Sequence, residues 1–226
     1  MHGTEIRDTA LRIAIVGAES TGKSVLAHAL SDALTGEFGL RCTVVDEYLR
    51  EWCDRHARTP RQDEQMSIAL EHARRIAEAA AHADLDVVLC DTTPLMVAVY
   101  SDLLCGDRSL HPLAASCQAD MDLTLLTSLD LPWVADGLQR DGPHVREPVD
   151  RLVRERLLAG RGEWAVIAGR GEDRTAGALA ALRPLLATRV ARQGSRHGLF
   201  ASLDASGIGP RRIGPPSCLR CESGLT

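Results

Sequence analysis

The chain has 226 residues, enough for one α/β domain with some chain besides, since single domains run from about 50 to 250 residues. A net charge of −5 argues against a general binder of nucleic acid, whose affinity comes from a basic surface. Apolar runs fall far short of the roughly 20 residues that cross a bilayer, so neither a membrane span nor a signal peptide is expected.

Hydrophobic residues make up 45% but aromatics only 3%, so the interior must be built largely from Ala, Leu and Val. Leu11 to Val16 is a nearly continuous apolar run, the pattern of a strand buried on both faces of a parallel sheet. From Ser24 to Leu34 the apolar Val25, Leu26, Ala29, Leu30 and Ala33 recur at helical spacing, and Gly36 and Gly39 end that helix. Cys42 to Val45 reads as a second strand running into Asp46-Glu47-Tyr48. Gln62 to Ala83 predicts a long Ala-rich helix with His72 on its exposed side.

Val87 to Cys90 is a third strand ending at Asp91. Thr93 then caps a helix that takes Pro94 in its first turn and Tyr100 into the core. Leu123–Leu126 and Glu163–Ala168 are the fourth and fifth strands, with helices over Glu147–Leu158 and Glu172 to about Arg189. Strands alternating with helices predict an α/β three-layer sandwich: a mostly parallel five-stranded sheet, helices on both faces, right-handed crossovers. After Gln193 the composition turns to Gly, Ser, Arg and Pro, so residues 1–193 are expected to form the domain and 194–226 a weakly ordered tail.

Between the first strand and its helix lies Gly17-Ala18-Glu19-Ser20-Thr21-Gly22-Lys23-Ser24, the spacing G-x-x-x-x-G-K-[ST] of a phosphate-binding P-loop. Its glycines let backbone N–H groups turn inward, and the helix N-terminus adds partial positive charge, so Gly17, Glu19, Ser20, Thr21, Gly22, Lys23 and Ser24 form the cradle for a nucleoside triphosphate. Among 26 Lys and Arg residues, Lys23 is the only lysine. Its compact ammonium suits the β/γ-phosphates where a broad guanidinium would not fit. ATP with Mg²⁺ is the expected ligand pair: Ser24 would give the metal a hydroxyl, and Asp91, at the end of an apolar strand, a carboxylate.

Three further segments carry candidate chemistry, each with a plainer alternative. Asp91 is otherwise a cap for the Pro94 helix. Asp46 and Glu47 end the second strand, expected next to the P-loop strand, where Glu47 can act as base or anchor for an acceptor hydroxyl; the alternative is solvated charge. Leu131 to Pro148 holds Arg140 and Arg146 among glycines and prolines, either a segment closing over ATP or an ordinary surface loop. Cys218 and Cys221 have C-x-x-C spacing without the second pair a structural zinc site takes. The seven cysteines are odd in number and dispersed, pointing to a reducing cytoplasm.

Ile15 through Ser24, Glu47-Tyr48-Leu49-Arg50-Glu51, Ala69-Leu70-Glu71-His72, Asp91-Thr92 and Pro132 through Leu138 together resemble the ribosylnicotinamide kinase domain of the NadR type, a group of P-loop kinases, from about Leu11 to Ala187. The resemblance implies transfer of the ATP γ-phosphoryl to the 5′-hydroxyl of nicotinamide riboside. It implies roles for Lys23, Glu47, Asp91 and Arg140 in catalysis, and for Glu47, Tyr48, Arg50, Trp133 and Asp136 at the riboside. Two positions depart from the family pattern: Asp46 stands where an aromatic precedes the Glu-Tyr pair, and Gln139 stands where an arginine follows Asp-Gly-Leu, which moves the lid arginine to Arg140. The partner expected is thus a small riboside, with no nucleic acid and no membrane. The alternative is a regulatory ATP-binding module that switches a partner protein; a GTPase would need an Asn-Lys-x-Asp motif, which the chain lacks.

Overall fold

The computed structural model describes residues 9–134 and 142–196, with side chains through residue 187. Five strands, β1 (Leu11–Val16), β2 (Cys42–Val45), β3 (Val87–Asp91), β4 (Leu123–Thr127) and β5 (Trp164–Ile167), form one sheet in the order β2-β3-β1-β4-β5, every pair parallel. Parallel neighbours need crossovers, and six helices lie in them: α1 (Lys23–Phe38), α2 (Tyr48–His56), α3 (Gln62–Ala81), α4 (Pro94–Cys105), α5 (His111–Ala119) and α6 (Arg146–Ala159), while α7 (Gly171–Arg196) follows the last strand.

Strand alternation sorts the core into two layers. Ile13, Ile15, Leu89 and Leu125 face α1 and α7, where Leu26, Leu30, Leu34 and Leu182 cover them. Ala14, Val16, Val88, Cys90 and Leu126 face the other way, toward Ile68 and Ile76 of α3, Val99 of α4 and Val149 and Val153 of α6. β1, β3 and β4 are buried almost throughout and largely apolar because both faces are covered, as their apolar runs predict.

Several sequence expectations need correcting. β2 does not lie beside β1: β3 is inserted between them, and β2 is the edge strand. Gly36 does not end α1, which continues to Phe38 and stops at Gly39; there a left-handed backbone (φ 63°) lets the N–H reach the carbonyls of Leu34 and Thr35. Val25 is 76% exposed rather than part of the packed stripe. Two short helices of nine residues each, α2 and α5, went unread in the sequence; α2 buries only Trp52 and Cys53, and α5 only Ala114.

Among the described residues no helix is long and apolar enough to cross a membrane. Cys218, Cys221 and the residues after 196 lie outside the described part.

The domain boundary is open to a direct check. Leu186 is the last described buried side chain of the core. We expect a chain cut after Gln193 to unfold in a single cooperative transition, with a Tm close to that of the full chain. A broad transition would make the segment after 193 an integral part of the domain.

Candidate functional site

β1 runs into the P-loop through Gly17, which has φ +146° and a second reason to be glycine. A Cβ at this position would stand 2.2 Å from Thr127 Oγ1 and 3.0 Å from the Thr127 carbonyl. The close approach lets β4 hold the loop: Thr127 Oγ1 donates to the Val16 carbonyl at 3.1 Å and lies 2.7 Å from Thr21 Oγ1, which itself reaches the Ala18 carbonyl at 2.7 Å. Gly22 (φ 75°) opens α1, and Lys23 Nζ donates to the Ala18 carbonyl at 2.8 Å.

Behind the loop sits a brace that sequence reading missed. Arg174, on α7 and 4% exposed, donates to the Thr21 carbonyl at 2.9 Å, to the Gly169 carbonyl at 2.7 Å and to Asp130 Oδ1 at 2.9 Å. Burial works against the Asp130 charge, but Ser128, the Gly169 N–H and Arg174 outweigh it and hold the carboxyl below its usual range. In the sequence Arg174 is one arginine among many; only packing singles it out.

The pairing of β3 with β1 sets Asp91 opposite Ile15 and carries its carboxylate to the start of α1, where Ser24 donates its hydroxyl to Asp91 Oδ2. Asp91 is 3% exposed, and its Oδ1 has no hydrogen-bond partner among the described residues. This is a buried carboxylate beside a hydroxyl at the head of the phosphate loop. Among the described residues no three His, Cys, Asp or Glu gather to hold a metal.

His72 is not exposed as its helical position predicts. It is 2% exposed on α3, accepts a hydrogen bond from the Tyr48 N–H at Nδ1 (3.1 Å) and lies 3.2 Å from the Thr92 carbonyl at Nε2. With Nδ1 accepting, Nε2 carries the proton and donates. Thr92 itself has φ 68°, left-handed backbone that a β-branched residue rarely takes. His72 thus ties the start of α2 to the end of β3, which sets Glu47 and Asp91 in one frame. Burial pushes its pKa down, against the opposing pull of the Thr92 carbonyl and Asp91.

A cavity of about 520 Å³ opens over the loop, and Glu19, Ser20, Thr21, Gly22, Lys23, Ser24, Glu47 and Arg50 all line it. Glu47 Oε2 lies 3.5 Å from Arg50, so the two form a charge pair on the cavity wall. Tyr48 lines neither this cavity nor the one behind the loop: its ring is held between the guanidinium groups of Arg75, 4.3 Å from its centroid, and Arg55, at 5.6 Å. Trp133 also lines neither cavity. Its neighbour Val134 instead pins the loop, donating its N–H to Ser20 Oγ at 3.2 Å while Ser20 Oγ donates to the Val134 carbonyl at 2.9 Å. Arg146 donates to the Leu131 carbonyl at 2.8 Å, which makes it a brace for this segment. Asp136 and Arg140 lie outside the described residues. Tyr100, read as core, packs half-buried against the core and also lines the cavity.

A second cavity, between α1 and the start of α7, is lined by Leu131, Gly171, Arg174, Thr175 and Leu179. It shares Gly22 and Val25 with the first, so the phosphate loop is the wall between them. Val25 is left exposed because it stands at that junction.

Residues 12–174 match the family described as the AAA domain. The chain belongs to that family. It is also 31% identical over 160 residues, 69% of its length, to the trifunctional NAD biosynthesis/regulator protein NadR of Salmonella typhimurium, of which it spans 36%. Among solved structures it resembles a NadR protein in complex with NAD and AMP-PNP (TM-score 0.60, 19% identity, 77% of this chain and 49% of that one). It resembles a NadR protein in complex with NR as well (TM-score 0.61, 17% identity, 91% and 53%). Thymidylate kinase of Ehrlichia chaffeensis shares the fold too (TM-score 0.55, 15% identity, 78% and 98%). The chain therefore spans about a third of its curated relative and about half of the solved NadR chains. The fold is that of the P-loop kinases, with the NadR-type resemblance carried by the sequence match.

The glycine and the histidine are each open to a direct test. Gly17→Ala should lower stability by about 1–3 kcal/mol through overpacking alone and weaken ATP binding, as read by urea unfolding and titration calorimetry, because its Cβ displaces Thr127. His72 ties stability to pH: its folded pKa lies below that of the unfolded chain, so acidification protonates the unfolded state first and stability falls as pH drops below about 6.5. His72→Asn should flatten that slope between about pH 7.5 and pH 5; an unchanged slope would show that His72 titrates as it does in the unfolded chain.

Proposed function

We propose that the protein is an ATP-dependent kinase of a small riboside, with nicotinamide riboside as the acceptor and NAD salvage as its setting. The observation that supports it best is the convergence of the phosphate loop, Glu47 and Arg50 on one cavity while a second cavity opens behind the same loop. A donor whose phosphates lie in the loop can extend its base into the second cavity, and an acceptor can enter from the first. The sequence match to NadR and the solved NadR complex with NR agree with this reading.

The residues fit a divalent cation. The paired Ser24 hydroxyl and Asp91 carboxylate, with Asp91 Oδ1 buried and unmatched among the described residues, suit Mg²⁺, which takes one or two carboxylates and fills its remaining positions with water and phosphate oxygens. Bound there, Mg²⁺ would neutralise charge on the phosphates. Lys23 would add an ammonium to the transferring group, and the loop N–H groups would fix its orientation. Glu47 would orient the acceptor hydroxyl and take its proton as the phosphoryl passes in line, while Arg50 holds the Glu47 carboxylate toward the cavity. Asp136 and Arg140 keep the roles implied by the family resemblance, at the riboside and on the lid.

Product analysis by mass spectrometry tests the reading. With Mg-ATP, nicotinamide riboside should gain roughly 80 daltons, one phosphoryl group. Lys23→Ala should abolish transfer without loss of fold. Glu47→Gln should lower kcat about 10²- to 10⁴-fold with little change in the KM for ATP, whereas Asp91→Asn should weaken Mg²⁺-dependent nucleotide binding. If ATP binds tightly and no riboside in a broad panel is modified, the protein is a nucleotide-dependent switch.

A further inference from the structure

The wall of the first cavity contains a buried polar side chain that none of these steps uses. Gln65, on the first turns of α3, is 8% exposed and lines the cavity. Its Oε1 is sealed from solvent and has no hydrogen-bond partner among the described residues. Chains seldom keep a buried amide oxygen unmatched, because removing it from water without a partner is costly. The same helix turn offers no structural reason: the α3 cap is made by Glu64, which accepts from the Arg61 N–H at 2.8 Å and pairs with Arg58 at 2.7 Å, leaving Gln65 out of that network.

The surroundings show what a partner would look like. Leu49, Met96, Val97, Tyr100 and Leu104 line the same cavity and give it apolar walls. An amide within apolar walls suits a flat ring bearing a polar edge: the walls take the faces of the ring, and the amide takes the edge. A glutamine presents donor and acceptor groups side by side, so its natural complement is another amide, or a ring edge with an adjacent donor and acceptor.

We propose that Gln65 is the specificity-determining residue for the acceptor, its side-chain amide hydrogen-bonding a carboxamide or an equivalent donor–acceptor edge on the ring of the riboside. This inference rests on the kinase reading and deepens it: the acceptor class is a riboside whose ring carries such an edge, not any primary alcohol of suitable size. Discrimination follows because an acceptor without the edge leaves the Gln65 amide buried and unmatched in the complex as well.

The test compares nicotinamide riboside with ribosylpyridinium, which has the same charge and ring but no carboxamide. Wild-type protein should favour the carboxamide by at least about tenfold in kcat/KM. Gln65→Leu should bring the two acceptors within about twofold of each other, leave the KM for Mg-ATP unchanged, and melt no lower than wild type, because the variant no longer buries an unmatched oxygen. Gln65→Met keeps the length of the side chain and removes both its acceptor and its donors; it should lose the preference too, so a folding defect in the leucine variant does not decide the test. A preference that survives in both variants, or a wild-type enzyme that uses both acceptors equally, overturns the assignment while leaving the kinase intact. If wild type phosphorylates a nucleoside instead, the same comparison is made between that nucleoside and its counterpart lacking the exocyclic group on the base: a preference lost in both variants supports the assignment, and one that survives overturns it. Phosphorylation of no acceptor at all, with Mg-ATP bound, removes the kinase reading itself and the Gln65 assignment with it.

Discussion

The pairing of β3 against β1 is the constraint from which the site is built. Ile15 stands opposite Asp91, and the Thr92 N–H continues the ladder by donating to the Ile15 carbonyl at 3.0 Å. Because the P-loop begins right after β1, this register delivers the Asp91 carboxylate to Ser24 at the head of α1. A slip of one residue would turn Asp91 to the other face of the sheet. The left-handed backbone at Thr92 then turns the chain away from the sheet, and the hydrogen bond of its carbonyl with His72 passes the same placement on to α2 and Glu47.

The other side of the loop is held by contacts of different chemistry. β4 supplies Thr127, which the bare backbone of Gly17 lets approach, and α7 supplies Arg174, which donates to carbonyls of the loop and of its neighbours. A phosphate cradle must keep its backbone in one conformation while binding a highly charged ligand. Pinning it to two strands and a helix gives that rigidity before any ligand arrives. The two cavities then fall on opposite sides of the pinned loop, sharing Gly22 and Val25.

The first cavity brings polar and apolar groups together on one wall. Charged residues, Lys23, Glu47 and Arg50, gather with the loop, while Leu49, Met96, Val97 and Tyr100 supply contact area without direction. Hydrophobic walls discriminate poorly between rings of similar size, whereas a buried amide discriminates strongly because a mismatch leaves it without a partner.

The P-loop, the buried strands and the alternation that makes the sheet parallel were legible in the residues, because each depends on local spacing: four residues between Gly17 and Gly22, nearly continuous apolar runs at Leu11–Val16 and Val87–Cys90, and glycines where the backbone turns left-handed. Asp91 could be singled out for the same reason, as the carboxylate ending an apolar strand. Strand order could not, since nothing local says that β3 rather than β2 pairs with β1. Burial of a charged or polar residue was equally hidden: Arg174 and His72 look like solvated side chains in a helical pattern, and Tyr48 looks like a ring free to meet a ligand until Arg55 and Arg75 are seen around it. Sequence by itself determined which backbone could cradle a phosphate, because that is written in the conformational freedom of a few adjacent residues. Only the tertiary structure decided which carboxylates, amides and guanidinium groups meet around that cradle, because those encounters join residues far apart in the chain through packing.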